Sequence, residues 1–123
     1  VISRDEYDHM IAESLSEKTF QAQVRKTLES LGWQCFVIPD MRKTLKGWPD
    51  LFAIHPDYPR ALSWELKSQG GRVLPHQAAV RAIMAALPGV DARILRPSEW
   101  PEVRDRLIEE MQTWQRTNSA LRK

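Results

Sequence analysis

The 123-residue chain has one cysteine, Cys35, so no intrachain disulfide can brace it. That cysteine lies inside the apolar segment WQCFVI, where a small buried core residue is expected. The three histidines, His9, His55 and His76, are scattered, and no zinc-ligand spacing can be built from them and Cys35. They also lack the spacing of a metalloprotease and the company of a serine or cysteine nucleophile. No apolar run approaches transmembrane length and no signal-peptide pattern opens the chain, so no membrane partner is expected and the expected compartment is the cytosol. The formal net charge is only +2, so any attraction for nucleic acid has to come from clustered cations. Repeats and low-complexity tracts are absent as well.

What is present fits one mixed domain. Residues 1–15 are polar with sparse apolar positions and suggest a short helix or arm. Ser16 is a candidate N-cap, and Phe20, Val24, Leu28 and Leu31 follow at helical spacing, with Gly32 as the stop. Residues 33–39, 50–54 and 61–67 suggest three strands, the last two joined by a proline-rich turn, HPDYPR. Pro75 opens a helix with the stripe Val80, Ile83, Met84 and Leu87, and Pro88-Gly89 stops it. VDARIL, 90–95, alternates like a strand. A last helix carries Val103, Leu107, Met111 and Trp114 on one face, and residues 117–123 suggest a frayed tail. Trp33, Trp64, Trp100 and Trp114 are expected in the core. A short turn makes strands two and three antiparallel, and the helix between strands three and four makes that pair parallel. The expected fold is α/β, with a mixed four-stranded sheet, flanking helices and an extra C-terminal helix.

The chemistry concentrates in GWPDLFAIHPDYPRALSWELK, residues 47–67. Glu65 and Lys67 are two apart on one strand and share a face, while Leu66 points the other way. Antiparallel pairing carries Asp50, at the start of the preceding strand, to the edge where Glu65 and Lys67 emerge. Two carboxylates could hold Mg²⁺, which prefers oxygen ligands and retains water, and an amine beside them suits phosphodiester hydrolysis.

Trp48-Pro49-Asp50 followed by Glu65-Leu66-Lys67 resembles the signature of the PD-(D/E)xK nuclease superfamily. The wider run is similar to the VRR-NUC (virus-type replication-repair nuclease) family over residues 16–100: SEKTFQAQVRKTLESLGW, then R-x₄-GWPDLFAI, then WELKSQGGRVLPHQ, then a strand ending ILRPSEW. The resemblance implies a restriction-endonuclease-like αβββαβ core within a single domain, 16–116. Its implied metal ligands are Asp50, Glu65 and the Leu66 carbonyl, binding one or two Mg²⁺ or Mn²⁺ ions, with Lys67 as catalytic lysine. Glu17 matches an acidic position near the metal, although an acid in a first helical turn is also favoured by the helix dipole. Gln77 matches a glutamine beside the site, and Gln21 lies one turn along from Glu17. Arg42, Lys43, Lys46 and Arg72 would contact DNA phosphates. The implied activity is structure-selective endonucleolytic cleavage of branched, flap or junction DNA in repair, recombination or phage replication, in the nucleoid of a bacterial or phage-infected cell. Stand-alone members of the family act as dimers, which extends the expectation of a homodimer to this chain. Two other readings predict different outcomes: a non-cleaving DNA-binding module retains binding under every metal, and a site-specific restriction-type enzyme yields discrete plasmid fragments.

Overall fold

A computed structural model describes residues 1–36 and 48–121 of the chain. Helix α1 spans Arg4–Ser14 and is opened by Ser3, whose hydroxyl accepts a hydrogen bond from the Glu6 amide at 3.1 Å. Only Ala12 of α1 is buried. Helix α2 spans Glu17–Ser30, and Ser16 caps it by accepting from the Thr19 amide at 3.1 Å. Its buried face is the expected one, Phe20, Val24 and Leu28.

The end of α2 explains a glycine. The Trp33 amide donates to the Leu28 carbonyl and the Gly32 amide to that of Glu29, a Schellman closure with Gly32 at φ 94°. A Cβ on Gly32 would lie 2.8 Å from Nε2 of His55, which bonds the Leu31 carbonyl at 3.0 Å. Gly32→Ala therefore meets two penalties, about 1–2 kcal/mol for a left-handed backbone and about 1 kcal/mol for a displaced hydrogen bond. Urea unfolding should show a loss of about 2–3 kcal/mol from these terms, and an unshifted midpoint would contradict the packing of His55 on this turn.

Four strands follow: β1 Gln34–Phe36, β2 Leu51–His55, β3 Tyr58–Leu66 and, after helix α3 (Pro75–Ala85), β4 Val90–Leu95. They form one open sheet in the order β1-β2-β3-β4. The first two pairs are antiparallel, and β3 with β4 is parallel, as a helical crossover requires. Helix α4, Trp100–Leu121, completes the chain and continues through most of the segment whose composition suggests fraying. Among the described residues no helix is long and apolar enough to cross a membrane.

The structure corrects several sequence expectations. The turn between β2 and β3 is only Pro56–Asp57, and Tyr58, Pro59 and Arg60 belong to β3. Pro59 is tolerated there because odd-numbered residues of β3 present their backbone groups toward β4, whose pairing begins only at Ala61. Strand β1 covers residues 34–36, and the rest of the expected strand, 37–39, lies outside the described residues. Of the expected apolar stripe, Val80 and Met84 of α3 are half-buried, Ile83 is 67% exposed, and Leu87, beyond the end of α3, is 49% exposed. The one buried residue of α3 is Gln77. Trp114 is 38% exposed, unlike the buried Trp33, Trp64 and Trp100. Its indole N–H donates to the Asp57 carbonyl at 2.9 Å, so a polar tether replaces core packing.

The core joins Phe20, Val24 and Leu28 of α2, Leu107 and Met111 of α4, and the β-strand residues Leu51, Ala53, Leu62, Trp64, Leu66 and Leu95. Leu62, Trp64 and Leu66 alternate with Ser63 and Glu65, so β3 turns one face to this cluster and the polar set to the opposite face. That polar set is buried as well, with Gln77 of α3 seated against Glu65.

Candidate metal centre

Asp50, Glu65, Lys67 and Gln77 are all less than 9% exposed, and with Ser63 they make up the buried polar residues of the described chain. Four such groups near one strand end need a physical account, because burying polar and charged atoms is costly unless they are paired.

Strand register sets the arrangement. Leu51 pairs with Trp64 and Phe52 with Ser63, so one further step sets Asp50 against Glu65. Directly opposed residues of an antiparallel pair have Cβ atoms about 4.5–5.5 Å apart. Buried Pro49 precedes Asp50 and supplies no backbone donor. The Asp50 side chain takes over the ladder: its Oδ2 accepts from the Leu66 amide at 2.8 Å. One carboxylate thus closes the end of the β2–β3 pairing. The N–H and C=O of one extended residue leave the strand on the same side, so the Leu66 carbonyl also points toward β2 and Asp50.

Lys67 follows, with its amide donating to the Leu95 carbonyl of β4 at 3.0 Å. Its ammonium nitrogen is 3.9 Å from Glu17 Oε1, on the first turn of α2. The Glu17 side chain is 41% exposed, so this long pair adds little to stability. Its consequence is positional: α2 brings a third carboxylate to the edge that holds Asp50, Glu65 and Lys67. Gln77 closes the opposite side. Its Nε2 donates to Glu65 Oε2 at 3.3 Å and its Oε1 accepts from the Leu74 amide at 3.0 Å. A single amide both caps α3 and holds Glu65.

Other contacts fix the frame. Arg96 donates to the carbonyls of Ser68 and Gln69 at 2.8 and 3.2 Å, and Gln69 exchanges two hydrogen bonds with Ser98. The loop after Lys67 is thereby pinned to the loop after β4. The partners lie 27–29 residues apart in sequence, so no local pattern announces them. The double role of Gln77 had a signal in its third-residue position behind Leu74-Pro75, where a glutamine can reach back to a cap amide.

The structure thus gathers Glu17, Asp50, Glu65, Lys67 and Gln77. Gln21 is half-buried on α2. Arg72 is exposed in the β3–α3 loop, and Arg42, Lys43 and Lys46 lie outside the described residues. Among the described residues no three His, Cys, Asp or Glu side chains form a ready-made metal cage. Two carboxylates and a backbone carbonyl nonetheless suit a hard cation that keeps several of its own waters, as Mg²⁺ does.

Cys35 takes no part in this chemistry. It packs partly buried against the core, and burial pushes its thiol up to about 11, with Glu29 adding to the rise. At neutral pH the protonated form dominates. Alkylation by iodoacetamide should be slow at pH 7.5 and accelerate with a midpoint near 11, instead of the usual value of about 8.5. Fast labelling at pH 7.5 would contradict that environment.

The chain matches no protein-family model, and comparisons with curated proteins and with solved structures returned no match.

Proposed function

We propose that this chain is a divalent-metal-dependent deoxyribonuclease with a restriction-endonuclease-like core, similar to the VRR-NUC family. One observation carries the reading: two buried carboxylates, Asp50 and Glu65, meet at a strand end beside a buried lysine, with the intervening Leu66 backbone held by Asp50. Lys67 pairs with Glu17 at 3.9 Å, while the buried Asp50 and Glu65 are held by the Leu66 amide and by Gln77.

Asp50, Glu65 and the Leu66 carbonyl would hold Mg²⁺ or Mn²⁺. The ion, when bound, would polarise the scissile phosphate and acidify water. Asp50 is held by the Leu66 amide and Glu65 by Gln77, so little reorganisation is needed when phosphate arrives. Lys67 would orient the attacking water or offset charge on the phosphate oxygens, with Glu17 steering its ammonium. Water adds to phosphorus, the P–O bond to the leaving sugar oxygen breaks, and that oxygen takes up a proton. Arg72 and the cations at 42, 43 and 46 would contact neighbouring phosphates.

The resemblance to the VRR-NUC family favours branched, flap or junction substrates and, with a second copy, two cuts. The test incubates labelled flap, four-way junction and linear DNA with Mg²⁺ or with EDTA. Cleavage confined to Mg²⁺ and biased to the structured substrates is expected. Binding without cleavage under Mg²⁺ and Mn²⁺ alike would leave a non-cleaving module, and discrete plasmid fragments would indicate a restriction-type enzyme.

A further inference from the structure

Among the described residues, the sheet face that carries Ser63 and Glu65 continues toward β1 with exposed apolar side chains. Phe36 pairs with Phe52 and Gln34 with Ile54, and Phe52 pairs in turn with Ser63. These residues share the face of Ser63 and Glu65, because Phe52 is the register partner of Ser63 and Ile54, Phe36 and Gln34 follow from it by two-residue steps or by pairing. Phe36 is 38% and Ile54 42% exposed, high values for large apolar side chains in a sheet. The cause is topological. The crossover seats α3 mainly on β4, leaving the β1–β2 part of this face uncovered by the described helices. Trp48 adds a third ring, 6.1 Å from that of Phe52 at an interplanar angle of 40°.

We infer that this face, from Trp48 and Phe52 to Phe36, is a stacking platform for unpaired bases of a single-stranded arm. The inference rests on the nuclease reading and names its substrate class. Its occupant follows from chemistry and continuity. Phe52 is two residues along the chain from Asp50, a step of about 7 Å for extended backbone, which is about one nucleotide's length. A strand whose phosphate sits at the carboxylates therefore lays its next base over Phe52, and the one after that toward Phe36. The side chains offered are chiefly aromatic rings, which accept any base by its flat face. A duplex hides those faces in its own stack, while an unpaired arm exposes them. The surface thus selects an arm next to the scissile phosphate without reading its sequence.

The test uses the full chain with Ca²⁺ in place of Mg²⁺, so that binding can be read apart from cleavage. Fluorescence anisotropy compares a blunt duplex with the same duplex carrying an oligo-dT arm. The arm should tighten binding about tenfold, the order that one stacked base contributes. Phe36→Ala and Phe36→Leu should both erase that advantage and leave blunt-duplex affinity unchanged, and Phe36→Tyr should retain it. An arm advantage that survives Phe36→Ala and Phe36→Leu overturns the platform, and so does the absence of any advantage in the parent chain. A dimer in sedimentation that Phe36→Ala dissociates also overturns it, because the face is then covered by a second copy. Cleavage in Mg²⁺ is scored separately. Lost cleavage with a Phe36-dependent arm advantage defeats the nuclease reading alone, and retained cleavage with no such advantage defeats the platform alone.

Discussion

Asp50→Asn should give a folded protein whose cleavage of flap DNA in Mg²⁺ falls by about a thousandfold or more. On the proposed metal-dependent reading the magnitude follows from losing a charged ligand, since a bound cation would supply several kcal/mol of charge stabilisation and about 1.4 kcal/mol is a tenfold change in rate. Retention of the fold follows from the hydrogen bond to the Leu66 amide. An asparagine carbonyl can still accept that bond, so the end of the β2–β3 ladder stays closed. Asp50→Ala removes the acceptor and leaves a buried N–H unsatisfied, which costs about 1–3 kcal/mol. The pair of variants separates the two roles of one side chain. Urea unfolding should shift for Asp50→Ala and scarcely move for Asp50→Asn, while cleavage is lost in both. Full activity in Asp50→Asn would contradict the metal-ligand role.

Lys67→Ala should reduce cleavage by about 10²–10⁴-fold, the range of a positioned acid–base or charge-stabilising group. The substitution deletes a buried amine that lies 3.9 Å from Glu17 Oε1, two residues along the strand from Glu65. Metal binding should survive and even tighten, because a positive charge has left the site. Lys67→Arg then distinguishes the roles open to the lysine. Guanidinium remains protonated, so it can offset charge but cannot relay a proton. Partial recovery in Lys67→Arg assigns charge stabilisation, and activity as low as in Lys67→Ala assigns proton handling. Activity equal to the parent in Lys67→Ala would remove Lys67 from the chemistry.

Much of the scaffold follows from local rules. The stripe Phe20, Val24 and Leu28 is buried as its spacing requires, and Ser16 and Gly32 bound α2 as their cap chemistry requires. The antiparallel and parallel pairings follow from loop length, with a two-residue turn in one case and a helix in the other. The proximity of Asp50 to the Glu65–Lys67 strand end followed from the same logic, because antiparallel neighbours bring one start to one end.

Other features were hidden for definite reasons. Pro59 suggested a longer turn, and its place in β3 depends on β4 beginning two residues later, a long-range fact. The stripe of α3 has helical spacing, yet spacing does not say whether another element covers it, and Ile83 and Leu87 stand exposed. Trp114 sits in the same phase as Leu107 and Met111 but lies where α4 passes the β2–β3 turn, so its indole meets the Asp57 carbonyl instead of the core. At the site, the strand end was evident from Asp50, Glu65 and Lys67. The link from Gln77 to Glu65, and the pinning of Ser68 and Gln69 by Arg96, depend on tertiary contacts that no single segment encodes.

The most direct test titrates the intact chain with Mn²⁺ and follows the free ion by electron paramagnetic resonance, with and without flap DNA. Saturable binding that Asp50→Asn and Glu65→Gln each weaken by tenfold or more, the effect of losing one ligand contact, is the predicted result. Binding that neither substitution alters, or no binding even beside DNA, would contradict a shared cation between the two acids.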